Sequence, residues 1–280
     1  MTPAPADSNT RQRILDTALA EVERHGLTVS LEHLGVERLI KASGVSRATA
    51  YRHWPTKADF LADVLSAVVT RTTLEPESEA DLGILLDLLR DNADQLVTEQ
   101  GRLDLLIEGL RIATIADFRR VAASPQWRTL IALHATTASL PDGQVRAEVT
   151  AALAEVEARF TRARAAVYDR LIRLVGFRLK PPLAGPEGLA ILADGQGALM
   201  TGLVVRERTA TTAPGLSCAP FGSSREAHWP VPAFHLVHGL LSHLEPDPDI
   251  TWDAARFAAS WETLEAMLRA ATSAAANPAP

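Results

Sequence analysis

From Thr10 to His25 the apolar residues Ile14, Leu15, Ala18, Leu19 and Val22 recur three and four positions apart, the period of a helix with one buried face, and Gly26 follows as a stop. A second helix is expected over Leu34–Ser43, with Leu34, Leu39 and Ile40 inward and Lys41 in the last turn, where a cation is favoured. Thr28 or Ser30 offers a cap to an earlier turn. After the break at Gly44, Ala50 and Trp54 lie four apart on a short third helix, and Phe60, Leu61, Val64, Leu65 and Val68 give a fourth helix, Lys57 to about Thr72, an apolar side. Beyond Glu75, Ala/Leu-rich periodic stretches between Pro/Gly breaks predict helices at Glu79–Glu99, Leu103–Ala123, Pro125–Ser139, Gly143–Val175, Pro186–Thr209, Val231–Leu244 and Trp252–Thr272. The Lys180–Gly185 and Ala210–Pro230 stretches read as loops, and no alternating strand or hairpin signal is visible. The expectation is an all-α chain. Its parts would be a disordered tail (1–9), a helix-turn-helix domain (10–56), a connecting helix (57–72), a larger helical domain (73–273) and a second tail (274–280).

The chemistry concentrates between Lys41 and Lys57. Gly44 permits a sharp inter-helix turn, and Ser46 is placed to cap the next helix by accepting a backbone N–H. With Ala50 and Trp54 turned inward, Ala48, Thr49, Tyr51 and Arg52 face outward, flanked by Arg47 and His53. A small residue that allows close approach, several donors and two permanent cations suit a duplex groove. Pro55 ends the helix, Thr56 with Asp59 reads as a capping box, and Lys57 stands at the junction, within reach of backbone phosphate. The competing reading is a three-helix packing module whose polar face binds nothing.

This segment resembles the TetR family of one-component transcriptional regulators over roughly Thr10 to Val69, and Gly44, Val45, Ser46, Thr49, Tyr51, His53 and Lys57 carry the resemblance. Ala50 stands where the family has a larger aliphatic residue and Trp54 where it has Phe, an exchange that can conserve volume. The distance from Gly26 to Gly44 is longer than is usual, which places an insertion within Leu27–Val36. The resemblance implies a homodimer on a double-stranded DNA operator. Ser46, Arg47, Ala48, Thr49, Tyr51, Arg52, His53 and Lys57 would be the DNA-facing residues, and the helical remainder would bind a small-molecule effector. It also implies that late helices dimerise and that the effector changes half-site spacing, as in a repressor.

Charge refines this picture. The net charge of -6 argues against a nucleic-acid partner only while it is averaged over the chain. Residues 1–60 carry eight Lys/Arg and seven Asp/Glu, whereas the remainder carries 20 and 27. DNA affinity would therefore rest on a focused patch of Arg11, Arg38, Lys41, Arg47, Arg52 and Lys57, with the acidic body held away. The single Cys218 has no internal partner, which suits a reducing compartment. The N-terminal residues lack the basic and apolar regions of a signal peptide, and no uninterrupted apolar run reaches membrane-spanning length. The expected location is the cytoplasm, with no membrane partner.

Other candidates are weaker. Gly195, Ala198 and Gly202 suggest a helix face that another helix approaches closely, within the chain or as a dimer seam. The run Asp194-Gly195-Gln196-Gly197 fails as a phosphate loop, because no strand precedes it. Phe257, Trp261, Leu264 and Leu268 form a broad apolar stripe on the last helix, ambiguous between core and partner. His235, His238 and His243 with Asp247 and Asp249 lack a recognised zinc spacing, so no metal or other cofactor is expected. Arg111, Phe118, Trp127, His134, Tyr168 and Met200 are the candidate effector contacts, each with core or surface placement as its alternative. No nucleophile elbow, metalloprotease helix or phosphate loop supports an enzyme. A helical interaction module is the other rival class, and salt-dependent binding to a palindromic duplex separates a regulator from both.

Overall fold

The computed structural model describes residues 5–25, 27, 35–72, 79–209, 215–251, 253, 255–256, 258–263, 265–266 and 269. The chain is all-α in class, with four three-residue strands among the described residues, and it divides into two compact units. The division is discontinuous, since residues 124–159 group with residues 1–74 and the rest forms the second unit.

In unit one, α1 (Pro5–His25), α2 (Val36–Ser43), α3 (Arg47–His53) and α4 (Lys57–Arg71) form the N-terminal part. The stretch expected as a tail is partly helical, because α1 starts at Pro5; a proline fits the first helical position, where no N–H partner is needed. Ile14, Leu15, Ala18, Leu19 and Val22 are buried in α1, as are Phe60, Val64, Leu65 and Val68 in α4, and these two helices pack together. Helix α4 also packs on α7 (Pro125–Ser139), whose start is fixed by Pro125 and by the Ser124 hydroxyl accepting from Trp127 N–H at 3.3 Å. Helix α8 (Gln144–Leu174) contributes Val149, Leu153 and Val156, buried at helical spacing. His134 of α7 donates to Glu157 of α8 at 2.9 Å, and that bond raises the His134 pKa above its ordinary 6.5. Its small, half-exposed contribution is present below pH 6.5 and lost as pH rises through the raised value. Leu34, Thr28 and Ser30 lie outside the described residues, as does most of the expected insertion.

Unit two contains α5 (Glu79–Asp91), a 3-10 turn (Ala93–Val97), α6 (Glu99–Ala123), the later part of α8, α9 (Pro186–Glu207) and α10 (Val231–Leu241). The single helix expected at Glu79–Glu99 is interrupted. The Asn92 side chain donates to Leu88 O at 2.8 Å and Thr98 Oγ1 accepts from Gly101 N at 3.0 Å, local bonds that compete with helix continuation. Gly101 is required there, since a Cβ would stand 2.0 Å from Gln95 O.

The expectation of no strands needs correction. β1 (Phe177–Leu179) pairs antiparallel with β4 (Leu244–Pro246), and β2 (Leu216–Cys218) with β3 (Ala227–Trp229). Three residues are too few to display an alternation, and the β1–β4 pair joins segments far apart in sequence. For the same reason α10 stops at Leu241 short of Leu244, which is committed to β4. The core runs through Leu106, Ile172, Val175 and Phe177, through Ile107, Trp229 and Val237, and through Leu179, Leu192 and Leu240. At the chain's end the described positions among 255–269 are helical, as expected, and Trp261 lies under Arg90 at 5.1 Å. Phe257, Leu264 and Leu268 lie outside the described residues.

The loop between β2 and β3 is pinned by a buried carboxylate. Asp104 of α6 accepts from Ser224 N at 2.8 Å, from the Ser223 hydroxyl at 3.0 Å, from Gln100 at 3.0 Å and from the Ser224 hydroxyl. Arg225 adds bonds to Asn92 at 3.1 Å and to Gln95. Burial alone would raise the Asp104 pKa, but the hydrogen bonds outweigh it and hold it below the ordinary 3.8. A depressed carboxylate stabilises the fold above pH 3.8, and that contribution is lost as pH falls through the lower native value. Asp104→Ala is expected to cost about 1.5–3 kcal/mol per charged hydrogen bond left unmade. Calorimetry from pH 6 downwards should show a weaker acid dependence in Asp104→Asn than in the wild type, and an unchanged acid limb would contradict this account.

Candidate nucleic-acid interface

Helices α2 and α3 meet at Gly44, whose φ of 68° is the left-handed backbone that the turn demands. Its N–H donates to Lys41 O at 3.2 Å, and Arg13 closes the corner with a 2.9 Å bond to Ser43 O. Ser46 caps α3 by accepting from Thr49 N at 3.2 Å, and the two hydroxyls lie 2.8 Å apart. Thr56 and Asp59 form a reciprocal capping box at the start of α4.

Side-chain burial sets the rotation of α3. Ala50 and Trp54 are 2% and 3% exposed. The indole stacks edge-on against Phe60 with ring centres 5.2 Å apart and donates from Nε1 to Asp63 Oδ2 at 2.6 Å. Arg11 Nη2 also reaches that oxygen at 2.6 Å, so one carboxylate joins α1, α3 and α4. With that side fixed, Ser46, Arg47, Ala48, Tyr51, Arg52 and Lys57 are exposed, while Thr49 and His53 are half-buried. Arg47, Ala48, Tyr51 and Arg52 thus share the outer surface of one short helix.

Three of the six members of the expected cationic patch, Arg11, Arg38 and Arg47, are ion-paired within the unit. Arg11 is taken by Asp63 and Arg38 donates to Glu21 at 2.7 Å, each oriented along the unit's own surface. Arg47 pairs with Glu37 of α2, and the Tyr51 hydroxyl donates to the same carboxylate oxygen at 3.0 Å. The contact raises the Arg47 pKa further, so its positive charge is permanent. Glu37 and Arg13 were missed in the sequence, since both act across a helix crossing that periodicity does not encode.

The six residues expected around an effector are divided between the two units. Trp127 and His134 belong to unit one, where the first is buried in α7 and the second pairs with Glu157. In unit two, Arg111 is held by Glu108 at 2.6 Å and by His228 O at 3.2 Å, Phe118 and Met200 are buried, and Tyr168 lines a cavity of about 80 Å³. Leu106, Leu110, Thr114, Val167 and Ile172 line the same cavity. Gly195, Ala198 and Gly202 are all on the solvent side of α9, continuous with exposed Ile191 and Val205. His235 and His238 are exposed on α10, and no group of three or more potential metal ligands gathers among the described residues.

Trp54→Ala removes both the apolar anchor and the indole donor, at an expected cost of about 3–5 kcal/mol. Hydrogen exchange of the full chain should then show lost protection across α3 and the start of α4. Unchanged protection there would refute the inward orientation of Trp54.

Comparison with known proteins agrees with this geometry. Residues 14–64, from within α1 to within α4, match the family described as bacterial regulatory proteins, tetR family. A comparison with curated proteins found no match. The capped α3, the Gly44 turn and the buried Ala50/Trp54 side all fall inside the matched residues, so the chain carries, in its N-terminal unit, the DNA-binding domain of the TetR family of transcriptional regulators.

Proposed function

We propose that the protein is a homodimeric, ligand-responsive repressor that lays α3 of each protomer in the major groove of a palindromic operator. The exposed Arg47–Ala48–Tyr51–Arg52 surface on a helix whose other side is locked inward carries this reading. Arg47 and Arg52 take the base edges, because a guanidinium pairs bidentately with guanine. Ala48 lets the helix approach, while Ser46, Thr49, Tyr51, His53 and Lys57 hold the sugar-phosphate backbone and set register.

Dimerisation through α9 brings two such helices together. Ile191, Gly195, Ala198, Gly202 and Val205 recur at four- and three-residue steps, all exposed, and the space beside Gly195 and Gly202 is open within the chain. Among the described residues, 187–207 is the one helix long and apolar enough to cross a membrane. A second copy of α9 accounts for that apolar face equally well, and the protein works in the cytoplasm on DNA. A small, largely apolar effector enters beside Tyr168 and Thr114, where the cavity of about 80 Å³ has to widen to the few hundred Å³ that such a ligand fills. An effector acts only through its different affinity for DNA-competent and incompetent forms of the dimer.

Replacing Arg47 or Arg52 by Ala is expected to cost about 1–3 kcal/mol and to relax preference at one base pair, whereas Lys57→Ala weakens all duplexes alike and lowers the salt slope by about one. Titration of duplexes at several salt concentrations measures both effects; if neither Arg variant differs from wild type in discrimination, the groove assignment fails. Ala198→Glu leaves an unpaired charge in the seam, so light scattering should report monomers and palindrome affinity should fall much further than half-site affinity. A stable dimer with undiminished palindrome binding would remove this face from the interface.

A further inference from the structure

We infer that Glu37 is a positioning residue for base readout: from the first turn of α2 it fixes Arg47 and Tyr51 of α3 in one pose and sets the selectivity of the interface against its bare affinity. The inference rests on the groove-docking reading of α3. One carboxylate oxygen, Oε1, accepts from Arg47 Nη2 and from the Tyr51 hydroxyl, the latter at 3.0 Å. Arg47 and Tyr51 are four residues apart, one turn of helix, so a single acceptor on the neighbouring helix gathers both onto one side of α3.

The arrangement has two consequences. An arginine on an exposed helix has many rotamers, and holding one of them before contact lowers the ordering cost of a bidentate base pairing. The Arg47 side chain remains 69% exposed, so the grip leaves most of the guanidinium open to a base. Glu37 is itself 54% exposed beside this surface. Paired with Arg47, this carboxylate cancels the pull of that cation on phosphate, which weakens binding to unrelated DNA.

Reach and charge can be varied separately. Glu37→Asp keeps the charge and shortens the arm, Glu37→Gln keeps the length and removes the charge, and Glu37→Ala removes both. The experiment measures base preference, position by position, for full-length protein on a library built around a duplex that the wild type retains from a random pool. Affinity for an unrelated duplex of equal length and the thermal unfolding midpoint are measured alongside. Glu37→Ala and Glu37→Asp are expected to flatten, by about tenfold, the preference at the base pair that Arg47→Ala flattens. Glu37→Ala and Glu37→Gln should bind the unrelated duplex several-fold more tightly, and Glu37→Asp should not. In an Arg47→Ala background, Glu37→Ala should cause no further loss of preference at that base pair.

If Arg47→Ala flattens a position and no Glu37 variant does, Glu37 does not position Arg47 and the inference is overturned while the groove reading stands. Flattening that follows a lowered unfolding midpoint, and spreads over all positions, shows a role in α2 stability only and overturns it as well. Should Arg47→Ala leave the whole profile unchanged, Arg47 reads no base and the inference is overturned, while the docking of α3 is then decided by Arg52→Ala.

Discussion

The N-terminal unit depends on the contact between Trp54 and Asp63. The indole is buried to 3% exposure and its N–H ends on a carboxylate that Arg11 also engages at 2.6 Å. A seven-residue helix has too few hydrogen bonds of its own to persist in water, so α3 exists because its neighbours hold it. Burying Trp54 and Ala50 settles which side of the helix is core, and the opposite side is thereby left exposed. The exposed cations follow from that rotation.

The features that the sequence made legible are local. The Ser46 cap, the Gly44 turn, the Thr56–Asp59 capping box and the inward Trp54 are each decided within a few residues, and all are present in the structure. The start of α7 at Pro125 is likewise legible, from a serine cap and a first-turn proline. What escaped were contacts between elements. Asp63 and Glu21 pair with Arg11 and Arg38 of the expected patch across helix crossings. Glu37 was invisible as a partner of Arg47 for the same reason.

The second unit was less legible in kind. Its strands are too short for periodicity, and the segment read as a Pro/Gly loop is a hairpin held by the buried Asp104 and by aromatic packing of Phe221 against Trp229. A carboxylate that gathers two serines some 120 positions away in sequence leaves no local trace. Of the expected effector contacts, Phe118, Trp127 and Met200 are buried, and Arg111 and His134 are ion-paired, placements that depend on contacts between elements.

Sequence preference on duplex DNA bears most directly on the central claim that a locked α3 presents a reading surface in symmetric pairs. Full-length protein should be incubated with a pool of random duplexes, and the retained fraction sequenced after several rounds. The account predicts enrichment of an inverted repeat whose half-sites are separated by about 34–36 Å, one helical turn, or a related spacing. Retention without any enriched sequence, or enrichment of a single unrepeated element, would contradict it.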